Sequence, residues 1–250
     1  MKKIVASIFV LLFSYSIVMA SAPPRWQSEV IALVSQQKFK EAGDKIKEYC
    51  VEKKIGDLCL TLASAYFEGE AKLGVDKRDI IEAYRYTKLA CDNGSKAGCE
   101  AYKAAINKGE LLQYVLFEPG VKDREAQLKE AIELGADLNS TTLFTSTLLQ
   151  KAIGEEKIEV VQLLLKNGVD VNYRVSEEDL TPLMYAINNG NKEMVSLLLK
   201  HGADPNKTMK VAEYLNMGKK EANACDFAKK LEKQEMMTVL KCPDSTVMAK

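Results

Sequence analysis

Two stretches toward the C-terminal end of the chain repeat each other and decide its fold. Residues 181–206 read TPLMYAINNGNKEMVSLLLKHGADPN, and residues 147–172, 34 positions upstream, read TLLQKAIGEEKIEVVQLLLKNGVDVN. A third copy ends in ELGADLN at residues 133–139. Apolar residues recur at helical spacing in each copy, and a glycine follows each second helix, where a left-handed cap suits it. The pattern predicts stacked helix pairs that bury one another's apolar faces.

These copies resemble ankyrin repeats in the TPLxxA helix start, the apolar second helix and the GADxN turn. A fourth copy begins at Asn223 and closes at Leu240, with a departure in spacing: 42 rather than 34 residues separate Ala186 from Ala228. The connection before the fourth copy therefore carries eight extra residues. The resemblance implies an ankyrin domain over residues 110–250, with finger loops that project from one edge of the stack.

Residues 21–109 follow a different helical pattern, clearest in LASAYFEG at residues 62–69, IEAYRY at 81–86 and LACDNG at 89–94. This half resembles Sel-one-like repeats, and its cysteine pairs resemble those of the Helicobacter cysteine-rich protein family in particular. The pattern stops after Cys99, so we expect a connection from Gly109 to Gly120 that leads into the ankyrin repeats. The expected fold class is all-α: an α-solenoid of Sel-one-like helix pairs followed by ankyrin repeats, stapled by disulfides.

The first twenty residues predict a cleavable signal peptide. Lys2 and Lys3 precede an apolar run over residues 4–18, and small residues lead to a cleavage site after Ala20. The apolar run is shorter than the roughly 20 residues that a membrane span needs. We therefore expect an exported protein, periplasmic or secreted, with no membrane insertion after signal cleavage.

Composition narrows the class of partner. Loss of the two signal lysines leaves 33 basic against 35 acidic residues, and a nearly neutral chain argues against nucleic acid. The expected partner is another protein, and the chain is expected to be a monomer or part of a heteromer with that partner.

Six cysteines follow the predicted signal peptide, and an even count in an exported chain favours disulfides. Six cysteines allow 15 pairings, so the connectivity stays open beyond an expectation of local bridges. A metal site would need CxxC spacing or histidines, neither of which is present, and we expect no metal and no cofactor. The local bridges would be Cys50 with Cys59, Cys91 with Cys99, and Cys225 with Cys242.

Catalytic motifs are scarce. His201 is the only histidine, and its place before Gly202 favours a capping role over catalysis. One S-x-x-K sequence occurs, from Ser35 to Lys38, without the SDN and KTG elements that accompany it in serine β-lactamases. Because the cysteine-rich family resemblance implies penicillin binding or β-lactamase activity, an enzyme acting on cell-wall or β-lactam substrates is the alternative function. A polar turn between two helices is the simpler interpretation, and no catalytic residue is predicted.

The finger loops of the ankyrin half are the predicted binding surface, since loops tolerate variation without disturbing the core. Aromatic, Met and Arg side chains are enriched at the centres of interfaces, and residues of these types occur in the finger loops. For Tyr214 and Leu215, a short helix packed on the stack is an alternative. Asn139 fits an acidic glycosylation sequon that runs from Asp137 to Thr141, and it is also a turn residue of the repeat. The candidate protein-binding residues are Tyr173, Arg174, Glu177, Glu178, Tyr214, Leu215 and Met217.

The sequence thus predicts an exported protein-binding repeat scaffold without its own catalysis. Resemblance to exported Sel-one-like and ankyrin proteins implies an immunity or inhibitor protein that neutralises a periplasmic toxin. An accessory factor for envelope proteins and a secreted factor acting on host proteins are further interpretations. The sequence leaves the identity of the partner open.

Overall fold

The computed structural model describes residues 24–69, 75, 78–107, 109–142, 146–210 and 220–243. These residues are mostly helical, which confirms the predicted helical class, and the signal peptide predicted at residues 1–20 lies outside them. The chain divides into two compact units, Met1–Ala105 and Ile106–Lys250. In the described part of the chain, no helix combines the length and apolarity needed to cross a bilayer.

The helices, numbered in chain order, are α1 (Arg25–Ser35), α2 (Phe39–Val51), α3 (Gly56–Glu68), α4 (Ile80–Asp92), α5 (Lys96–Asn107), α6 (Glu110–Phe117), α7 (Arg124–Glu133), α8 (Leu148–Gly154), α9 (Ile158–Lys166), α10 (Pro182–Asn189), α11 (Lys192–Lys200), α12 (Ala224–Lys230) and α13 (Gln234–Leu240). Two short antiparallel strands, β1 (Met209–Lys210) and β2 (Glu221–Ala222), lie between α11 and α12.

In the first unit, each of the helices α1 to α4 packs against the next. Val30, Ile46 and Leu62 are almost completely buried between them. The rings of Tyr66 and Tyr86 stack with their centroids 5.3 Å apart, which joins α3 to α4. Burial of these apolar side chains is the main source of stability of the helix array.

Two glycines allow the helices of the first unit to approach closely. A Cβ on Gly56 would lie 2.7 Å from the carbonyl oxygen of Ala90, and a Cβ on Gly98 would lie 2.6 Å from the Cβ of Ala90. At the same junction the Ser95 hydroxyl donates to Asp57 Oδ1 at 2.7 Å. A larger residue at either glycine would push α3 or α5 away from the end of α4.

The structure joins all six cysteines in three local pairs, each of which connects neighbouring helices. The pairs are Cys50–Cys59 between α2 and α3, Cys91–Cys99 between α4 and α5, and Cys225–Cys242 between the start of α12 and the end of α13, with Cα separations of 4.9, 4.2 and 5.6 Å. Cys50 and Cys59 are completely buried, whereas the other four cysteines are partly exposed. The first bridge is therefore part of the core of its unit.

The second unit consists of the helix pairs α6/α7, α8/α9, α10/α11 and α12/α13. The first helices α8, α10 and α12 pack side by side, and α11 packs against α13. Leu149, Leu164, Leu183, Met184 and Leu198 are all at most 1% exposed between the repeats. The recurring apolar positions of the sequence therefore form the shared core of the stack.

The expected connection from Gly109 to Gly120 is wrong, because it contains helix α6. Gly109 has a φ of 61°, a left-handed conformation that separates α5 from α6. The apolar run that follows has helical spacing, and it packs α6 against α7. Its buried side chains are Leu111, Leu112, Val115 and Leu116.

A charged cluster joins α6 to the turn between α8 and α9. Glu155 accepts from the ammonium groups of Lys151 and Lys157, both at 2.7 Å. The same two ammonium groups lie 4.8 and 5.0 Å from the centre of the Phe117 ring. The hydrogen bonds from Lys151 and Lys157 hold the pKa of Glu155 below its ordinary value.

Hydrogen bonds from one repeat to the next align the turns that follow the second helices. The Asp170 N–H donates to Asn139 Oδ1 at 3.1 Å, and the Asp204 N–H donates to Asn172 Oδ1 at 2.8 Å. The Asn172 amide also donates to the Gly202 carbonyl at 3.0 Å. Asn139 and Asn172 thus each form hydrogen bonds with the main chain of the next turn. These bonds fix the positions of neighbouring turns, and of the loops that follow them, relative to each other.

Candidate protein-binding surface

Three loops follow these turns; we call them finger 1 (residues 137–147), finger 2 (residues 170–181) and finger 3 (residues 204–223). Finger 1 closes on itself through an antiparallel bridge between Thr141 and Thr147. Finger 3 contains β1 and β2, in which Met209 pairs with Ala222. The first three repeats therefore each end in a loop whose base is fixed by main-chain pairing or by the asparagine bonds.

Finger 2 is braced by its own hydrogen bonds. The Ser176 N–H donates to Asp179 Oδ2 at 2.9 Å, and the Glu178 N–H donates to Ser176 Oγ at 3.1 Å. The Arg174 guanidinium, which is half-buried, reaches the Asp179 carbonyl at 3.5 Å. The loop has a defined shape, and Arg174 points back into it.

Finger 2 is also joined to finger 3. The Lys210 N–H donates to the Glu177 carbonyl at 2.9 Å, and the two side chains form an ion pair at 2.7 Å. The hydrogen bond between them lowers the pKa of Glu177 and raises the pKa of Lys210. Both side chains are more than half exposed, so the ion pair contributes little stability and mainly fixes charge positions.

Two apolar side chains of finger 2 lie exposed. Tyr173 is 38% exposed and Val175 is 44% exposed, which makes them two of only four exposed large hydrophobic residues in the described part of the chain. The other two, Val51 and Phe67, belong to the first unit. Tyr173 and Val175 stand on either side of the half-buried Arg174 in the sequence, so both exposed apolar side chains belong to the same short segment of finger 2.

The candidate residues predicted from the sequence fall into three groups. Tyr173 and Glu178 are exposed on finger 2, while Arg174 and Glu177 make contacts within and between fingers. Val175 was missed, and its only signal in the sequence is a β-branched apolar residue within a polar loop. The remaining predicted residues, Tyr214, Leu215 and Met217, lie outside the described residues.

The two ends of the S-x-x-K sequence make separate contacts. The Ser35 hydroxyl donates to the Ile31 carbonyl of its own helix at 2.8 Å, and the Lys38 ammonium lies 3.6 Å from Glu41. Both residues are exposed, at the end of α1 and in the polar turn before α2. Ser35 and Lys38 therefore each contact a different neighbour rather than one another.

His201 caps α11: its N–H donates to the Leu197 and Leu198 carbonyls, and the residue is exposed. No cluster of three or more His, Cys, Asp or Glu residues that could hold a metal ion occurs in the described ranges.

Asn139 is half-buried, and its Oδ1 accepts the bond from Asp170 described above. A glycan on its amide nitrogen would have to leave this contact intact. Modification of Asn139 stays a prediction.

Comparisons with known proteins support the repeat assignment. Residues 101–209 match the family described as "Ankyrin repeats (3 copies)". A similar curated protein is the "Ankyrin repeat and KH domain-containing protein mask-1" of Caenorhabditis elegans, 42% identical over 117 residues, or 44% of this chain. The chain spans only 4% of the length of that relative. Residues 101–209 therefore form ankyrin repeats.

Proposed function

We propose that the chain is an exported, non-catalytic protein-binding repeat scaffold that contacts its partner through fingers 2 and 3. Ankyrin repeats generally mediate protein–protein interaction, which gives the class of partner. The observation that carries the proposal is the exposure of Tyr173 and Val175 within three residues of finger 2. Large apolar side chains that a core could have buried are instead presented to solvent.

The bracing of finger 2 favours binding energetically. Association costs free energy when flexible loops become ordered, and a loop already fixed by its own hydrogen bonds avoids part of that cost. Tyr173 offers a large apolar ring with few rotatable bonds, a side-chain type enriched at the centre of interfaces. The pair Tyr173 and Val175 is therefore suited to be the apolar centre of a contact whose rim is the charged residues around it.

Export to the periplasm or the medium is part of the proposal. Its support is the sequence of residues 1–20 and the three cysteine pairs, because disulfides persist in oxidising compartments. Fractionation of the native host would locate the protein, and mass spectrometry of the purified chain would show whether it starts at Ser21. A cytosolic protein that retains residues 1–20 would refute the export proposal.

In its finer form, the proposal is that the first unit consists of Sel-one-like helix pairs and that the protein is an immunity or inhibitor protein, or an accessory factor for envelope proteins. We do not extend it to hydrolysis of β-lactams, because the Ser35 hydroxyl donates to the Ile31 carbonyl of its own helix. If the parent chain hydrolyses a β-lactam and a folded Ser35→Ala variant does not, this exclusion is overturned.

The test is a pulldown from the envelope fraction of the native host with the mature, oxidised chain as bait. A bait with Tyr173→Ala and Val175→Ala should lose the partner. The matched control is Val51→Ala with Phe67→Ala, which removes the other two exposed hydrophobic side chains and should retain the partner. Equal recovery with all three baits would refute binding through the fingers.

A further inference from the structure

Finger 2 carries an excess of negative charge beside its exposed apolar pair. Residues 170–180 contain four carboxylates and one guanidinium, that of Arg174, which is half-buried against the Asp179 carbonyl. Two lysines of finger 3 also reach this loop, Lys207 at the Asn172 carbonyl and Lys210 at Glu177. One carboxylate therefore remains in excess beside the apolar pair.

The carboxylates of finger 2 are not equally available. Lys210 neutralises Glu177, and the Asp170 and Asp179 side chains accept bonds from main-chain N–H groups of their own loop. Glu178 is exposed and forms no ion pair with any other described residue. It is the carboxylate that a partner can reach without breaking an existing contact.

We propose that finger 2 binds a basic protein segment, in which an apolar side chain that covers Tyr173 and Val175 lies beside a lysine or arginine that pairs with Glu178. This inference rests on the proposed function and specifies its partner. Complementary charge around an apolar centre steers association and selects against acidic partners. Phosphate-bearing surfaces such as nucleic acid or anionic lipid are disfavoured at this finger for the same reason.

The test uses a phage-displayed library of random dodecapeptides, selected on the folded, oxidised mature chain. The library is counter-selected on the Tyr173→Ala/Val175→Ala variant to remove peptides that bind elsewhere. We expect the remaining peptides to combine lysine or arginine with at least one large apolar residue. An enriched pool that is acidic or uncharged, or no enrichment over the variant, would overturn the proposal.

Charge dependence is then measured by fluorescence anisotropy with a synthetic copy of a selected peptide. Glu178→Lys should weaken its binding about fivefold or more, and raising salt from low to physiological concentration should weaken it further. Glu118→Lys, in the turn after α6, makes the same charge change outside the fingers and should bind like the parent chain. Circular dichroism would verify that both variants are folded.

The two proposals fail in different ways. A host protein that is captured through Tyr173 and Val175 but is insensitive to Glu178→Lys and to salt would leave the scaffold function standing and refute the basic partner. If every finger variant still captures the partner, the binding surface itself is refuted, whatever the charge of the selected peptides.

Discussion

Gln150 gives the sharpest stability prediction, because it is a buried polar residue at a position that is apolar in the next repeat. It is 3% exposed, and Met184 stands at the corresponding place. Its Oε1 accepts from the Thr147 N–H and its Nε2 donates to the Leu180 carbonyl, both at 2.8 Å. The side chain thus completes the cap of α8 and holds the end of finger 2.

Gln150→Met would retain the volume and remove both bonds. The Thr147 N–H would be left buried without a partner, at a cost of about 1–3 kcal/mol, and loss of the bond to Leu180 would add about 1 kcal/mol. Greater burial of apolar surface by methionine would return about 1 kcal/mol. The expected net loss is about 2 kcal/mol, equivalent to a decrease of roughly 4–8 °C in the melting temperature of a unit this size.

The assay is thermal and urea unfolding of the oxidised chain, followed by far-ultraviolet circular dichroism. Met184→Leu is the control, since it changes a fully buried apolar side chain without removing a hydrogen bond and should cost less than about 1.5 kcal/mol. Gln150→Glu should destabilise more than Gln150→Met, because a carboxylate oxygen would face the Leu180 carbonyl. A Gln150→Met chain as stable as the parent would refute the cost assigned to the unpaired groups.

Three further predictions concern other contacts. Asn172→Ala should destabilise the second unit by about 1–2 kcal/mol in urea unfolding, since it removes two bonds between repeats; Asn206→Ala, at the same turn position without such a bond in the described structure, should cost less. Replacement of both Cys50 and Cys59 by alanine should lower the free energy of unfolding by about 2–3 kcal/mol, because their bridge closes a nine-residue loop. The unfolding midpoint can be followed by the fluorescence of Trp26, the only tryptophan in the sequence, and an unchanged midpoint would contradict a stabilising bridge. The stabilising contribution of Glu155 should be present above pH 4.5 and lost as the pH falls through its lowered pKa, so an acid titration of Glu155→Gln should show a shallower loss of stability there than the parent.

The helical repeats could be predicted because their signals are local. A glycine after the second helix of each of the first three repeats, with Asp and Asn two and four residues on, specifies a left-handed cap and a turn whatever else the chain does. Gly202, for example, has a φ of 89°, and a Cβ there would meet nothing within 4 Å, so its role is purely conformational. Such residues encode their structure within a few neighbours, and a single sequence is enough to interpret them.

Helix α6 was missed because its start lacks that local signal. The later repeats open with Thr147 or Thr181, whose hydroxyls cap the helix, whereas α6 follows Gly109 with no side-chain cap. What fixes α6 is burial of its apolar face against α7, a contact that becomes evident only when both helices are placed. Tertiary packing therefore determines helix α6, which the residues at its N-terminus do not specify on their own.

The finger loops were predictable in place, whereas their contacts were not. That finger loops project from the stack follows from the repeat, and Tyr173 could be named on composition. The role of Glu177 depends on Lys210, which lies far along the chain in another finger, and no spacing rule links them. The exposure of Val175 likewise depends on how finger 2 folds, which involves the bonds from Arg174 and Ser176 to Asp179.

The change in spacing before the fourth repeat bears on how finger 2 is positioned. The eight extra residues fall in finger 3, whose first strand is held beside finger 2 by the bond from Lys210 to Glu177. Met209 and Ala222 pair and close this loop at its buried base. The same bond fixes finger 2, so the exposed pair of Tyr173 and Val175 is positioned by the longest connection in the ankyrin half. The proposed binding residues on finger 2 therefore depend on finger 3 for their placement, and the two fingers should be treated as one surface when variants are designed.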